Sequence, residues 1–264
     1  MEGDRFPLSV VVIARDEERD LEECLKSARW ANEIIVVVDE RSKDRTEEIA
    51  RALADKVFIR KMKNEGEHRN WAYAQARNEW VLSLDADERI TEELREEICQ
   101  RLKKGEKRFS GFAIPRKNFL GDYWIKFGGE YPAGQLKLFK KDLCRLEEVE
   151  VHPRIFLQGE WTCLSSPLLH YSSRDISDFI HKFNSQTTLE AEKWWRTNRE
   201  VCLFHILRRA IDRFFRKYVY KKGYKDGFIG FFLALFAGLY QIVSFAKYIE
   251  KKGRLERDEK RSAG

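Results

Sequence analysis

The sequence predicts an α/β fold: a doubly wound, mostly parallel sheet with flanking helices, followed by a carboxy-terminal helical extension suited to a membrane surface. Three observations carry this. Apolar, largely β-branched runs recur at Leu8–Ala14, Glu33–Val38, Val57–Arg60 and Trp80–Leu84, and parallel strands buried on both faces read as such unbroken runs. Between them lie segments whose apolar residues fall at helical spacing, the alternation of a βαβ layer. Beyond residue 200 the character changes to a basic, aromatic stretch and then to 19 residues without a charge, Phe228 to Ala246.

Taken in order, the first strand leads into a helix predicted over Arg15–Trp30, where Leu21, Cys24, Leu25 and Ala28 share a face. After the strand at Glu33–Val38 come a helix at Thr46–Ala54, the short strand at Val57–Arg60, a helix at Glu67–Arg77 and the strand at Trp80–Leu84. Thr91 opens the next helix, with a Thr-Glu-Glu-Leu start that runs to about Leu102. A hydroxyl cap followed by acids suits a helix amino terminus. From Phe109 to Tyr171 the pattern predicts short strands broken by glycine and proline, and Ile176–Arg196 reads as a helix with Phe179, Ile180, Phe183 and Thr187 on one side.

A chain of 264 residues and 31.4 kDa can bury one substantial core and carry an appendage. The net charge is +6, yet His205 to Lys225 alone holds eight bases against Asp212, so the rest of the chain is close to neutral. Basicity is therefore a local device. The five cysteines are scattered and lack a CxxC pair, which argues against a disulfide framework or a zinc site. The opening Met-Glu-Gly-Asp-Arg-Phe-Pro has no cationic region followed by an apolar core, so a cytoplasmic location is expected.

The strand at Trp80 delivers Asp85 and Asp87 at its carboxyl end, where ligands of open α/β sheets sit. Two aspartates so spaced can hold a hard divalent cation, and such a cation clamps a diphosphate. With 15 aspartates in the chain, chance alone supplies roughly one Asp-x-Asp, so the neighbours decide. The first strand is followed by Arg15-Asp16-Glu17-Glu18 and no GxGxxG, which removes a dinucleotide site. The chain has no GxxxxGK[ST] and no glycine-rich loop after that strand, which removes P-loop phosphotransfer and nucleotidyl transfer. A nucleotide held through acidic strand ends and a metal remains.

Four motifs in register add specificity: Val11 to Glu18, then Val36-Val37-Val38-Asp39 with Ser42 to Thr46, then Arg69-Asn70-Trp71-Ala72, then Leu82 to Glu88. Together they resemble a family 2 inverting glycosyltransferase of the GT-A fold, with particular likeness to the lipopolysaccharide core β-glucosyltransferases. The resemblance covers residues 8 to 190, including Gln135 to Phe139 and Leu168 to Ser172. It implies that Asp39 accepts from the N3–H of a uracil, that Ala14 and Glu17 line the nucleoside pocket, and that Arg69 faces the base or diphosphate. Asp87 then ligates Mg²⁺ or Mn²⁺, and Asp85 contacts the ribose or the metal. The alternatives for these residues are ordinary: Asp39 as a helix-capping turn residue, Glu17 as a solvated first-turn acid, Arg69 as an exposed helix arginine.

Inversion also needs a base for the acceptor hydroxyl. Its candidates cluster in Glu147-Glu148-Val149-Glu150-Val151-His152-Pro153, where relatives read Val-His-Glu in place of Val-His-Pro. Strand alternation would put Glu148, Glu150 and His152 on one face. Glu150 is the favoured base, with His152 as metal ligand, base or orienter; solvent-facing acids are the alternative. His170 and Glu130 are further candidates on the acceptor side.

The implied plan is a catalytic domain over residues 1–200, divided into a nucleotide-binding half (1–105) and an acceptor half (106–200), with residues 201–264 as the extension. There, Leu203 to Lys222 mixes apolar and basic residues as an interfacial helix does. The uncharged run is long enough to span hydrocarbon, but Lys221, Lys222 and Lys225 flank one end and Lys247, Lys251 and Lys252 the other. Bases on both sides favour partial embedding over a crossing. Gly230, Ala234 and Gly238 allow close helix contact, within a hairpin or between protomers. The expected partners are a nucleoside diphosphate sugar, a lipid-linked saccharide and the anionic cytoplasmic face of the inner membrane, with no nucleic acid. A soluble helical subdomain, a catalytically degenerate membrane-surface module and a nucleotide-sugar phosphohydrolase are the competing readings.

Overall fold

The structure, a computed structural model, describes residues 5–105, 108–149, 154–199 and 202–262, with side chains described to residue 254. In chain order the elements are β1 (Phe6–Ala14), α1 (Leu21–Ser27), β2 (Ala31–Val38), α2 (Thr46–Leu53), β3 (Lys56–Ile59), α3 (Glu65–Ala74), β4 (Trp80–Asp85), β5 (Glu88–Ile90) and α4 (Glu92–Lys103). There follow β6 (Phe109–Leu120), β7 (Tyr123–Ile125), β8 (Ala133–Lys140), β9 (Cys144–Leu146), β10 (Ile155–Leu157), β11 (Glu160–Cys163), β12 (Leu168–Ser173), α5 (Ile176–Arg196), α6 (Leu203–Phe215) and α7 (Gly227–Ser262). Two compact units are formed, residues 1–117 with 132–170, and residues 118–131 with 171–264. Strands β6 and β12 carry the chain from one to the other.

In the first unit β1 lies parallel between β2 and β4, and β3 extends the parallel set beyond β2. Antiparallel β8 continues the sheet from β4 to β6, and β11 runs parallel to β6. Period-two alternation sorts the side chains. Leu8, Val10, Val12, Ile34, Val36 and Val38 enter one core with Leu21, Leu25, Leu94 and Ile98, while Val11, Ile35 and Val37 enter another with Ala72, Tyr73 and Phe139. Each such fully buried aliphatic contributes about 1.5–3 kcal/mol, so a one-residue slip of either strand would be costly.

Two local differences from the sequence expectation have clear causes. The helix predicted from Arg15 starts at Leu21, because Asp16 takes φ 55° and the preceding residues form a loop; aspartate tolerates this left-handed conformation better than most residues. That loop is pinned by the Ser42–Thr46 segment: Asp16 N–H donates to Ser42 Oγ (3.0 Å), Glu17 N–H to Thr46 Oγ1 (2.7 Å), and Glu18 N–H to Asp44 Oδ2 (2.9 Å). Helix α3 starts two residues early because Asn64 caps it, its Oδ1 accepting from Glu67 N–H at 2.8 Å. Strand β6 ends at Leu120, before Gly121, a glycine break of the expected kind. Within it, a Cβ on Gly111 would lie 2.8 Å from Leu136 Cδ1, so that glycine serves close approach.

In the second unit, β7 pairs with the end of β6 and three helices pack together. The small-residue stripe is used inside the chain. Gly230 lies against the carbonyl of Gly223, Ala234 is buried, and a Cβ on Gly238 would stand 2.8 Å from the Ala210 carbonyl oxygen. The predicted Leu203–Lys222 helix is α6 followed by a π-helical turn at Arg216–Tyr220, ended by Lys222 at φ 58°. Phe179 and Phe183 of α5 meet Phe236 of α7 edge-on, with centroids 5.2 and 5.0 Å apart. Helix α7 buries Gln241 and Ser244 while exposing Phe228, Phe231, Leu235, Ile242 and Ile249. Among the described residues one helical stretch, Gly223–Arg254, is long and apolar enough to cross a membrane, and a third of its apolar window is buried.

Candidate active site

Parallel strands end with their unpaired carboxyl termini side by side, and the loops that leave them frame a crevice. Here β1, β2 and β4 deliver Ala14, Asp39 and Asp85 to a cleft of about 280 Å³ that Glu17, His68, Arg69, Asp87 and His170 also line. Those loops bring Asp39, Asp85 and Asp87 together across 48 residues of chain.

Asp39 is 2% exposed, and its carboxylate accepts from Arg41 three times: from the backbone N–H at 3.0 Å, Nε at 2.9 Å and Nη2 at 2.6 Å. These bonds to Arg41 hold its carboxyl down at about 2, against the penalty of burial. Asp39 is therefore an anion at any physiological pH. His68, buried beside it, has its imidazole pushed below the ordinary value by desolvation, with Arg60 adding to the effect.

Asp85 is clamped. One oxygen accepts from Arg69 Nη2 at 2.6 Å and the other from Lys137 Nζ at 2.7 Å. Burial by itself would raise this carboxyl, but Lys137 and Arg69 hold it well below the usual carboxylate range. Arg69 is further held by Glu65 (2.9 Å), and Lys137 by the wholly buried Glu88 (2.6 Å), which also accepts from Asp85 N–H at 2.9 Å. Burial raises the Glu88 carboxyl. The site thus alternates Glu65, Arg69, Asp85, Lys137 and Glu88 in sign, so each buried charge has a counter-charge.

Asp87 has a different environment. Its Oδ2 stands 3.4 Å from His170 Nε2, and both side chains retain partial exposure to the cleft. A carboxylate and an imidazole are ligand types that Mn²⁺ accepts, and Mg²⁺ makes do with one or two carboxylates plus water and phosphate oxygens. No group of three or more metal-ligating side chains occurs among the described residues. The pair therefore fits a cation completed by a bound diphosphate better than one caged by protein.

The remaining predicted residues are placed as follows. Ala14 and Glu17 line the cleft. Arg69 is a half-buried partner of Asp85 instead of an exposed helix arginine. Glu148 lies on a separate concavity with Asn70, Cys144 and Phe156, paired with Arg145 at 2.9 Å. Glu150 and His152 fall outside the described residues. Glu130 belongs to the second unit, where it accepts from Lys217 (2.5 Å) and Asn118 (2.9 Å). Sequence reasoning missed Lys137, Glu88 and Arg41. A signal existed for Lys137, a lone cation within the apolar run Leu136-Lys137-Leu138-Phe139.

The chain matches the Glycosyl transferase family 2 model over residues 9–148 and belongs to that family. It is 26% identical over 196 residues to the lipopolysaccharide core biosynthesis glycosyltransferase LpsC of Rhizobium meliloti, covering 72% of each chain. It is 23% identical over 235 residues to an uncharacterized glycosyltransferase of Rickettsia typhi, covering 81% of this chain and 77% of the relative. The mannosyltransferase PcManGT of Pyrobaculum calidifontis, solved with GDP-Man and Mn²⁺, shares the fold at 12% identity, with a TM-score of 0.53 over 93% of this chain and 88% of that one. The protein is a glycosyltransferase with a GT-A fold.

Proposed function

We propose that this enzyme is a metal-dependent inverting glycosyltransferase that moves a sugar, glucose by resemblance, from a uridine diphosphate donor to a lipid-linked saccharide such as lipopolysaccharide core. The observation that carries the donor side is the Asp87–His170 pair in a cleft where Asp39 and Asp85 are already ion-paired to Arg41 and Arg69. Asp87 and His170 would hold Mg²⁺ or Mn²⁺, which when bound offsets charge on the departing diphosphate. Asp85, with both oxygens engaged, sets the negative wall of the cleft and is left to meet the donor's ribose or a metal-bound water. Asp39 offers a permanent carboxylate to a uracil N–H, and Arg41 keeps it ionised. Glu150 takes the acceptor hydroxyl's proton as the new C–O bond forms and the bond to phosphate breaks.

The acceptor side rests on the relative named for lipopolysaccharide core biosynthesis and on the extension. Helix α6 exposes Phe204, Leu207, Ile211 and Phe215 along one side, and α7 its own apolar stripe, amid Arg208, Arg209, Arg216, Lys221 and Lys222. Exposed apolar stripes amid bases suit the interface of an anionic membrane, and here the cytoplasmic face of the inner membrane is meant. Residues 1–105 would supply most of the donor site, 106–200 the acceptor side together with Lys137 and His170 on the donor side, and 201–264 the membrane surface. A second copy is the competing occupant of the stripes.

The test is binding of UDP by calorimetry with and without Mn²⁺. Asp87→Ala and His170→Ala should lose the Mn²⁺-dependent gain in affinity and reduce transfer at least about a hundredfold, as loss of a group acting on developing charge does. Unchanged Mn²⁺-dependent turnover in Asp87→Ala would refute the metal site. Membrane association is checked separately by flotation with anionic vesicles, and self-association by sedimentation.

A further inference from the structure

The second unit contains a cleft that the donor site does not use. Helices α5, α6 and α7 enclose about 320 Å³ beside Ser172 and Ser173 of β12. Its floor is apolar and aromatic, built from Phe179 and Phe183 of α5 with Leu233 and Phe236 of α7. Its charged lining consists of Lys182, Arg213 and Lys217, without a single acid. Two of these cations are already compensated: Lys182 lies 3.2 Å from Asp178 and donates to the Ser172 carbonyl, and Lys217 lies 2.5 Å from Glu130. Arg213 is different. Its guanidinium rests over the Tyr240 ring, 5.8 Å from the centroid, and makes no ion pair with an acid among the described residues.

A cleft with an aromatic floor and an uncompensated guanidinium at its edge suits an amphiphile whose anionic group meets Arg213 while its chain lies on the rings. A free phosphate would leave the floor unused, and a neutral lipid would leave the guanidinium unused. The same helices carry the exposed stripes on their opposite sides, with Arg213 about half a turn around α6 from Ile211 and Phe215, so the cleft and the stripes are separate surfaces and the cleft would take a single lipid molecule. We infer that the α5–α6–α7 cleft is a binding site for one anionic lipid, phosphate at Arg213 and hydrocarbon along Phe179, Phe183 and Phe236. This rests on the membrane-surface reading and deepens it: the membrane supplies a specific ligand as well as an interface.

The probe is dihexanoyl phosphatidylglycerol below its micelle concentration, titrated into the full chain by calorimetry, with dihexanoyl phosphatidylcholine and inorganic phosphate as controls. The expected result is saturable binding of one lipid per chain, weaker for either control by about tenfold or more. A hydrogen-bonded charge contributes about 1.5–3 kcal/mol, so Arg213→Gln should weaken binding by roughly 10- to 150-fold. Arg213 is exposed and makes no ion pair, so this variant should fold, and its circular dichroism should match wild type. Phe215→Ser on the outer stripe should leave short-chain lipid binding unchanged while reducing flotation with vesicles, so failure of the interface reading and failure of the cleft are seen separately. Equal binding of phosphatidylcholine, equal binding of phosphate, indifference to Arg213→Gln or no saturable binding would each overturn the inference.

Discussion

Lys137 is the residue on which the polar core beneath the cleft turns, and Lys137→Met is the most informative perturbation. The substitution keeps the length and apolar stem of the side chain and removes the ammonium that lies 2.7 Å from Asp85 and 2.6 Å from Glu88. Glu88 has no exposed surface, and its second oxygen, Oε1, has no hydrogen-bond partner among the described residues. Arg116, at 3.8 Å, is then the nearest cation left to it. Removing one partner of a buried pair costs about 3–5 kcal/mol, mostly the penalty of the stranded charge. For a chain of this size that corresponds to a fall in Tm of about 10 °C.

The sign with pH distinguishes this from lost packing. Glu88 already has its carboxyl raised by burial, and without Lys137 it rises further. An acid whose folded pKa exceeds its unfolded value stabilises the fold while protonated and loses that stability as pH climbs through the folded pKa. The deficit of the variant should therefore be greatest near pH 8 and shrink towards pH 5. Urea unfolding across that range measures it, and the double variant Lys137→Met/Glu88→Gln should recover more than half of the loss. A loss under about 1 kcal/mol, a deficit independent of pH, or additivity in the double variant would refute the reasoning.

Other expectations follow from the same geometry. Asp39→Asn should raise the Kd for UDP by about tenfold or more in calorimetry, the scale of one charge-assisted hydrogen bond. Since Arg41 holds the Asp39 carboxyl at about 2, its contribution to stability is whole above about pH 4 and is lost as pH falls towards 2, a loss that Arg41→Ala should reduce in acid titrations. Glu150→Gln should keep UDP binding and lose sugar transfer; the opposite pattern, with Glu148→Gln inactive instead, would move the base. Gly238→Leu should cost about 1–3 kcal/mol in thermal unfolding, because its Cβ meets the Ala210 carbonyl at 2.8 Å. Deletion of residues 201–264 should give an aggregating product, since it strips Tyr248 from Trp194, itself 1% exposed.

The first half of the sheet was legible because its information is local. Unbroken apolar runs at Leu8–Ala14 and Glu33–Val38 mark strands buried on both faces, and a parallel sheet puts whatever follows such strands at one edge, which is why Asp39, Asp85 and Asp87 could be found together. The Thr91 cap was equally readable, its hydroxyl accepting from Leu94 N–H at 3.1 Å. The Arg15–Glu18 segment was misread as helix because its conformation is set by hydrogen bonds to Ser42, Asp44 and Thr46, roughly one strand and one loop away. Periodicity cannot register such bonds.

By itself, then, the sequence determined the alternating strands and helices of the first half, the acidic strand ends, the family and the amphipathic character of the extension. Tertiary structure decided what each acid is free to do. Asp85 and Asp87 are chemically identical two positions apart, yet one is held by Arg69 and Lys137 and the other faces His170, 83 residues away, across the cleft. Tertiary structure also decided that Gly230 and Gly238 of α7 pack within the chain, that Phe236 meets α5 and that Phe228 and Phe231 face outward. The physical reason is common to both: charge pairing and close packing are made by side chains distant in sequence, and only the folded chain sets which of them meet.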